Sequence, residues 1–518
     1  MDLKPGYLET PSEQMRRPAL KILLASSEVA PFAKTGGLAD VCAALPVALE
    51  ALGHEVTVVM PAFRSALQCH RQIRKTDLQL SIPIKSQTLH ARVLRSSLPD
   101  SNVTLLLVDY PPYFDRQDLY RDELQDYPDN CERFTFFSRA VLQILSQLPD
   151  SIDIVHCNDW QTGLIPAFLK LELNSDSRFQ SLASLFTIHN LAYQGLFSQH
   201  DMPVTGLDWQ FFNWRQMEYY GKLNLLKTGI VFADGLNTVS PTYALEIQTP
   251  ELGCGLDGLL RERGQVLQGI LNGIDQRVWN PKTDPHLFCN YDSGNWEDGK
   301  AQGKAALQKA VGLPRAPRTL MIGIIGRLTT QKGWDILTPV IEHWARTQEV
   351  QWVILGTGDP HFQRKLEDLG RNHPQKVAVR LEFSEASAHQ IEAGSDLFLM
   401  PSHYEPCGLN QLYSLRYGTV PLVRQTGGLA DTVVNATAET LATERANGFS
   451  FRAATTAALE ETLDRASQIY QHQPDTWRQL VETGMAQDWS WERSASAYER
   501  LYKKLLSKQR HDSRIPTE

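Results

Sequence analysis

The chain has 518 residues, 42% of them hydrophobic and 21% charged, with a net charge of −8 at pH 7. Such a length holds two large domains or about three smaller ones, with apolar side chains enough for sizeable cores. The mixed-sign charge excludes a nucleic-acid binder running on bulk positive charge, though not a local cationic pocket.

Seven cysteines (Cys42, Cys69, Cys131, Cys157, Cys254, Cys289 and Cys407) are scattered without a C-x-x-C pair. They suggest neither a disulfide framework nor a structural zinc site, and fit a reducing cytosol. Residues 1–20 read as an N-terminal extension. There "RRPALKILLASSEVA" pairs two arginines with an apolar run, as an export signal does. The run breaks at Ser26, Ser27 and Glu28, too short for the apolar region of a signal, and reads instead as a first buried strand. No stretch approaches membrane-spanning length.

From there, continuous apolar runs bounded by Gly, Pro, Ser or Asn recur, the pattern of buried parallel strands. The first half contains "KILLAS", "EVTVVMP", "NVTLLLVD", "IDIVHCN", "SLFTIHN" and "GLNTVS"; the second contains "TLMIGIIG", "QWVILGTG", "VAVRLEF", "DLFLMPS" and "TVPLVRQ". Helical patterns lie between several of them. "LADVCAALPVALEAL" sets Leu38, Val41, Leu45, Ala48, Leu49 and Leu52 on one face, with a kink expected at Pro46. "DILTPVIEHWA" and "LNQLYSLRYG" are further candidates, and "DWSWERSASAYERLYKKLL" reads as a last amphipathic helix. The order strand, helix, strand predicts an α/β chain of two doubly wound lobes facing a cleft. Boundaries follow from the Gly- and Pro-rich "GQVLQGILNGIDQRVWNP": a first lobe over 21–268, a second over 269–484, a final helix over 485–506 and a disordered polar tail over 507–518.

In such sheets, ligands bind beyond the carboxyl ends of strands, where the chemistry-bearing stretches fall. "SSEVAPFAKTGGLADV" enters a helix through Gly36 and Gly37, which permit close backbone approach to an anion, with Lys34 adding a full charge. The alternative is a tight turn with a surface lysine. "GIIGRLTTQKGWDIL" carries Arg327 and Lys332 on a Gly-bounded loop, a spacing suited to two neighbouring phosphates or, less usefully, to two solvated charges. In "DLFLMPSHYEPCGLNQLYSL", Glu405 precedes Cys407, Gly408 and Leu409 at a helix start. It could grip sugar hydroxyls beside free N–H groups, or simply cap the helix. His189 and Asn190 end the strand in "FTIHNLAYQG", and Asp159 ends that in "IVHCNDWQTG", where it could cap the following helix. A lone histidine at a strand end is more often structural than catalytic.

Several familiar signals fail. "LGTGDPHF" has His361 where a dinucleotide fingerprint needs its third glycine, no Walker motif occurs, and no two aspartates stand at i and i+2. No metal-type spacing of His and Cys appears, so no metal or cofactor is expected. The hexapeptide TGGLAD occurs twice, at Thr35–Asp40 and Thr426–Asp431. Only the first copy has a lysine directly ahead of it; the second has Gln425. The first is therefore expected to bind substrate and the second to pack or shape the cleft.

Together "KTGGLAD", "HCNDWQTGLIP", "FTIHNLAYQGLF", "LNTVSPTYALEIQTPELGCGLDGLL", "ILNGID", "GRLTTQKG", "LGTGDP" and "PSHYEPCGLNQLYSLRYGTVPLVRQTGGLADTV" resemble bacterial glycogen synthases and plant starch synthases, glycosyltransferase family 5. The resemblance runs in order from about Lys21 to about Tyr502. It implies the GT-B architecture of two Rossmann-like lobes, with the last helix crossing back to the first. It also implies retaining transfer of glucose from ADP-glucose to the non-reducing 4-hydroxyl of an α-1,4-glucan. The family's donor-binding lysine falls on Lys34, its phosphate-binding pair on Arg327 and Lys332, its glutamate near the donor glucose on Glu405, and its active-site histidine on His189. Gly36, Gly37, Asn272, Cys407, Gly408 and Leu409 complete the implied donor site, while Glu28, Asp40, Asp159 and Asn190 match cleft or acceptor positions. Three residues depart from the pattern: Phe383 where a tyrosine near the base is usual, Gly326 where serine is frequent, and Asn158 in a usual histidine position.

The resemblance further implies same-face attack, with the leaving phosphate taking the acceptor proton. A covalent carboxylate intermediate, UDP-glucose as donor, a phosphorylase-like enzyme and a non-catalytic glucan-binding relative stay open as alternatives. With about twenty residues ahead of the first strand, no plastid transit peptide is expected, which favours a bacterial, cytoplasmic protein. No nucleic acid or membrane partner is expected, and oligomeric state is left open.

Overall fold

The computed structural model describes residues 19–512 except 70, 123 and 124, so most of the expected N-terminal extension and the end of the tail lie outside the described residues. Every apolar run quoted above becomes a strand. The chain begins with β1 (Lys21–Ala25), β2 (Glu55–Pro61), β3 (Arg74–Ile84), β4 (Gln87–Ser97), β5 (Thr104–Asp109), β6 (Ile154–Asn158) and β7 (Ala183–Ile188). Short strands β8 (Leu196–Ser198), β9 (Glu218–Tyr219) and β10 (Lys222–Asn224) follow, then β11 (Gly235–Thr238) and β12 (Leu267–Gly269). The second half supplies β13 (Leu320–Ile325), β14 (Val350–Leu355), β15 (Val377–Arg380), β16 (Leu397–Met400), β17 (Val420–Arg424) and β18 (Phe449–Phe451).

Among the described residues these form three sheets: a nine-stranded one ordered β12-β11-β7-β6-β1-β2-β5-β4-β3, a six-stranded one ordered β15-β14-β13-β16-β17-β18, and a small sheet β8-β10-β9. The six-stranded sheet is parallel throughout. The nine-stranded sheet is parallel except where β4 and β3 turn antiparallel at its edge. Helices cover the strands on both faces, so Ile22, Leu23 and Leu24 of β1 are wholly buried. Each contributes about 1.5–3 kcal/mol by leaving water. The chain is thus a GT-B-type pair of doubly wound lobes, as expected.

Topology decides where a site can form. In the first sheet the order reverses between β1 and β6; in the second it reverses between β13 and β16. Chain leaving such neighbours diverges to opposite faces and opens a crevice at their carboxyl ends. The loop carrying Glu28 to Gly37 follows β1, Asp159 follows β6, Arg327 and Lys332 follow β13, and Glu405 follows β16.

Several details differ from the sequence reading. Residues 74–97 form an antiparallel hairpin, with Leu80, Ile82 and Ile84 buried and Gln79, Ser81 and Pro83 exposed between them. The helix Gly37–Ala51 runs unbroken through Pro46, and its buried face includes Ala39 and Cys42 while Leu52 is left exposed. The final helix begins at Trp491 and continues to Asp512, so the boundary expected at 506 falls inside it and the start of the expected tail is helical. It docks on the first sheet: Tyr502 and Tyr498 place their hydroxyls 2.9 Å from His156 Nδ1 and 3.0 Å from Asn237 Nδ2.

Candidate active site

On the first lobe, buried Glu28 fixes the loop that follows β1. Its carboxylate accepts from Thr35 N–H (2.6 Å), Thr35 Oγ1 (2.7 Å) and Tyr120 Oη (2.8 Å). Held this way, Lys34 is exposed and pairs with Asp40 at 2.7 Å. The helix behind it starts at Gly37 without a side-chain cap. The N–H groups of Gly36, Gly37 and Leu38 donate to no acceptor among the described residues, leaving open donors beside a cation.

Asp159 does not cap the helix that follows it. Its carboxylate instead accepts from the backbone N–H groups of His189 (2.8 Å) and Asn190, bracing the end of β7. Burial outweighs those two bonds and pushes the Asp159 carboxyl up to about 7. Its backbone φ of 55° lies in the left-handed region, a strained choice for a non-glycine residue. His189 is buried, which holds its imidazole down to about 3 and keeps it neutral near pH 7. Its Nε2 lies 2.9 Å from Asn158 Oδ1, while Asn158 Nδ2 donates to Ala25 O at 3.1 Å. The amide oriented this way makes Nε2 the protonated nitrogen and Nδ1 the acceptor. Asn190 Oδ1 accepts from Ala192 N–H at 3.1 Å, shaping the turn that presents Tyr193.

On the second lobe, Arg327 stands exposed after β13, with Tyr193 Oη at 2.9 Å and Gln331 Oε1 at 3.4 Å. The "LGTGDP" turn braces this loop from behind, Leu328 N–H donating to Thr357 O and Asp359 N–H to Leu328 O. Lys332 Nζ meets Glu405 Oε2 at 2.6 Å, and Ser402 Oγ donates to the same oxygen at 3.1 Å. Glu405 is therefore not the helix cap that was its alternative reading; the helix Asn410–Arg416 carries no side-chain cap. The N–H groups of Cys407, Gly408 and Leu409 find no acceptor among the described residues. Burial pushes the Cys407 thiol up to about 12, so it stays a neutral acceptor for Asn272 N–H. Asn272 Oδ1 is buried and unpartnered among the described residues. Phe383 stands apart from this cluster, 87% exposed on the loop after β15.

The two sides meet. A methyl group on Gly37 would lie 3.8 Å from Leu409 Cδ1, and Ser240 Oγ of the first lobe donates to Pro406 O at 2.7 Å. With the Tyr193–Arg327 bond, these contacts bring the loops after β1 and β7 against those after β13 and β16. The resulting crevice holds cations from both lobes and two runs of unpaired N–H donors. Such a surface suits a diphosphate joined to a sugar.

A starch synthase catalytic domain model matches residues 21–262, and a model for glycosyl transferases group 1 matches residues 311–476. A glycogen synthase of Rhodopirellula baltica is 48% identical over 94% of this chain and 98% of its own length. One from Thioalkalivibrio sulfidiphilus is also 48% identical, over 94% of this chain and 100% of its own. The chain belongs to the glycogen and starch synthase family. Among solved structures, the catalytic domain of starch synthase IV from Arabidopsis thaliana, bound to ADP and acarbose, superposes with a TM-score of 0.87. It is 34% identical, over 95% of this chain and 100% of that one. A sucrose-phosphate synthase from Thermosynechococcus elongatus shares the fold at 17% identity, with a TM-score of 0.56 over 94% of this chain and 100% of its own. As a member of this family the chain is a glycosyltransferase.

For this family member, sequence reasoning missed Tyr193, Tyr120, Ser402 and Ser240. Tyr120 and Ser402 are lone hydroxyl residues in loops with nothing to mark them in sequence; Tyr193 had a hint, three residues after the Asn190 turn, and Ser240 another, standing before Pro241 as a helix N-cap does. Among the described residues no group of three or more His, Cys, Asp and Glu is placed to hold a metal ion, and no helix is long and apolar enough to cross a membrane.

Proposed function

We propose that this glycosyltransferase moves glucose from ADP-glucose to the non-reducing 4-hydroxyl of an α-1,4-glucan, with retention, elongating glycogen in a bacterial cytoplasm. The observation that carries the reading is the pairing of Lys332 with Glu405 and Ser402 beside Arg327, across the crevice from Lys34 and the open N–H groups at Gly36 and Gly37. Residues 21–268 supply the acceptor side and residues 269–484 the nucleotide-sugar side.

In this reading the diphosphate of the donor takes over the partners that the cations now hold. Arg327 exchanges Tyr193 and Lys332 loosens from Glu405, while Lys34 closes from the other lobe. As the bond from the anomeric carbon to the phosphate oxygen lengthens, these charges meet the negative charge developing on the leaving group. Each is worth about 3 kcal/mol in the transition state, roughly a hundredfold in rate. Neutral His189 accepts a glucose hydroxyl at Nδ1 and turns its carbonyl toward the cationic sugar face. Glu405, steadied by Ser402, and the N–H groups of Cys407 to Leu409 hold the glucose and phosphate. The unpartnered Oδ1 of Asn272 takes a donor hydroxyl, and the exposed ring of Phe383 stacks on the base.

The four carboxylates matched to the site have partners: Glu28 and Asp159 hold backbone N–H groups, while Asp40 and Glu405 are paired with lysines. That supports same-face attack, in which the departing phosphate takes the acceptor proton, over a carboxylate nucleophile. The test is incorporation of label from ADP-glucose and UDP-glucose, in parallel, into glycogen, with and without a metal chelator. ADP-glucose should be used faster, equally well in chelator, and the new linkage should be α. Incorporation from neither donor ends the proposal, and a strict UDP-glucose preference changes its donor.

A further inference from the structure

The second TGGLAD copy joins the lobes through two carboxylates. Glu246, on the first-lobe helix Pro241–Glu246, accepts from Thr426 Oγ1 at 3.2 Å and Gly427 N–H at 3.0 Å. Asp431, on the second-lobe helix Gly427–Thr432, accepts from Thr242 N–H at 2.9 Å and Thr242 Oγ1 at 2.7 Å. Each lobe thus offers one carboxylate to a threonine hydroxyl and a backbone N–H of the other.

This exchange sits directly behind the donor turn. Gly428 N–H donates to Pro406 O at 3.1 Å, and that carbonyl also accepts from first-lobe Ser240 Oγ at 2.7 Å. A methyl group on Gly427 would fall 2.0 Å from Glu405 O, and one on Gly428 would fall 2.2 Å from Cys407 O. Nothing separates the clasped backbone from the turn that carries Glu405, Cys407 and Leu409. A shift of the clasp must therefore be passed to that turn. We propose that Glu246 and Asp431 are positioning residues, a reciprocal inter-lobe clasp that sets the Glu405–Leu409 turn against the His189 side of the crevice. The inference rests on the glucosyl-transfer reading for its kinetic consequence, not for the contact itself.

The test is steady-state kinetics of E246A, D431A, the double variant and E246Q, with saturating ADP-glucose and glycogen and Tm measured alongside. Losing charge-assisted bonds that fix the turn should lower kcat about tenfold in either alanine variant. The double variant should be little worse than either single one, because both act through one contact. E246Q, which keeps an acceptor for Gly427 N–H, should recover most of the turnover. D176A, breaking an exposed pair with Arg178, is the control and should leave kcat unchanged. A kcat within twofold of the parent in E246A and D431A overturns the clasp, as does a loss that E246Q fails to restore. Should the alanine variants not fold, T242V and T426V preserve volume: about threefold lower kcat in each supports the clasp, and no change in both refutes it. If the parent transfers no glucose, the activity reading fails and amide exchange decides the clasp. Exchange across residues 424–432 should be about tenfold faster in T242V, and equal exchange overturns it.

Discussion

Lys332 is the sharpest test of the leaving-group chemistry, because the same ammonium could serve structure or reaction. Its Nζ lies 2.6 Å from Glu405 Oε2, and the two side chains are 24% and 9% exposed. Removing the lysine strands a mostly buried carboxylate whose one remaining hydrogen bond among the described residues is from Ser402 Oγ at 3.1 Å. Breaking a fully buried pair costs 3–5 kcal/mol, and discounting for the part-exposed lysine leaves about 2 kcal/mol. In a lobe of this size that lowers Tm by about 4–8 °C. The catalytic loss should be separate, about 3 kcal/mol or a hundredfold in kcat. The two contributions are resolved by making K332A both in the parent and in E405Q, where the pair no longer exists. If the ammonium serves the departing phosphate, K332A still costs about a hundredfold in the E405Q background while costing little further stability. The assay is label transfer at saturating ADP-glucose with thermal unfolding of all four proteins. A loss under threefold in that background would show that Lys332 acts only by holding Glu405.

Three further outcomes follow from the geometry. Lys34→Ala should raise the ADP-glucose KM or lower kcat by at least about tenfold, whereas Gln425→Ala, beside the other TGGLAD copy, should change either by less than about threefold; equal effects refute the division of labour. Gly36→Ala has nothing within 4 Å of the new methyl among the described residues and should keep its Tm, impairing only donor use, while Gly428→Ala would set its methyl 2.2 Å from Cys407 O, must shift that backbone and should unfold several degrees lower. Burial raises the Asp159 carboxyl from 3.8 to about 7, so its favourable protonated state is complete below pH 4 and its contribution is lost as pH climbs through 7. Asp159→Asn should therefore gain about 3 kcal/mol relative to the parent between pH 5 and pH 8, read as a Tm difference that grows with pH; a constant difference contradicts the buried-carboxylate account.

The central strands were legible because a strand buried on both faces has little freedom of composition: it is apolar from end to end and stops at Gly, Pro, Ser or Asn. The hairpin at 74–97 escaped because half of its residues face water, so its signal is alternation rather than a run. Leu78, Leu80, Ile82 and Ile84 carry that alternation, with Pro83 at a water-facing position that an edge strand tolerates. The last helix is expected over 485–506 and runs instead over Trp491–Asp512, because Ser507 to Asp512, though polar, holds no Gly or Pro to end a helix. Charged residues of the candidate site stood out for a related reason: Arg327, Lys332 and Glu405 sit on short loops after apolar strands, and a charge in that position needs a partner.

Partners were the illegible part, because a hydrogen bond joins residues that sequence keeps far apart. Asp159 before a helix reads as a cap, yet its oxygens turn to the N–H groups thirty residues on, where β7 lies parallel to β6. The repeated hexapeptide carries the same lesson. In both copies a threonine hydroxyl and a nearby backbone N–H grip a carboxylate: Glu28 seven residues upstream in the first, Glu246 from the opposite lobe in the second. The local grip is one device, but its consequence depends on where the carboxylate comes from. A carboxylate from the same loop closes a local turn and leaves Gly36 and Gly37 open to the crevice. One from the other lobe draws the two halves together and drives Gly427 and Gly428 against the Glu405–Cys407 backbone. Identical residues thus leave N–H groups open to the crevice in one place and fill space behind the Glu405–Leu409 turn in the other. The difference is set by chain topology rather than by the six residues themselves.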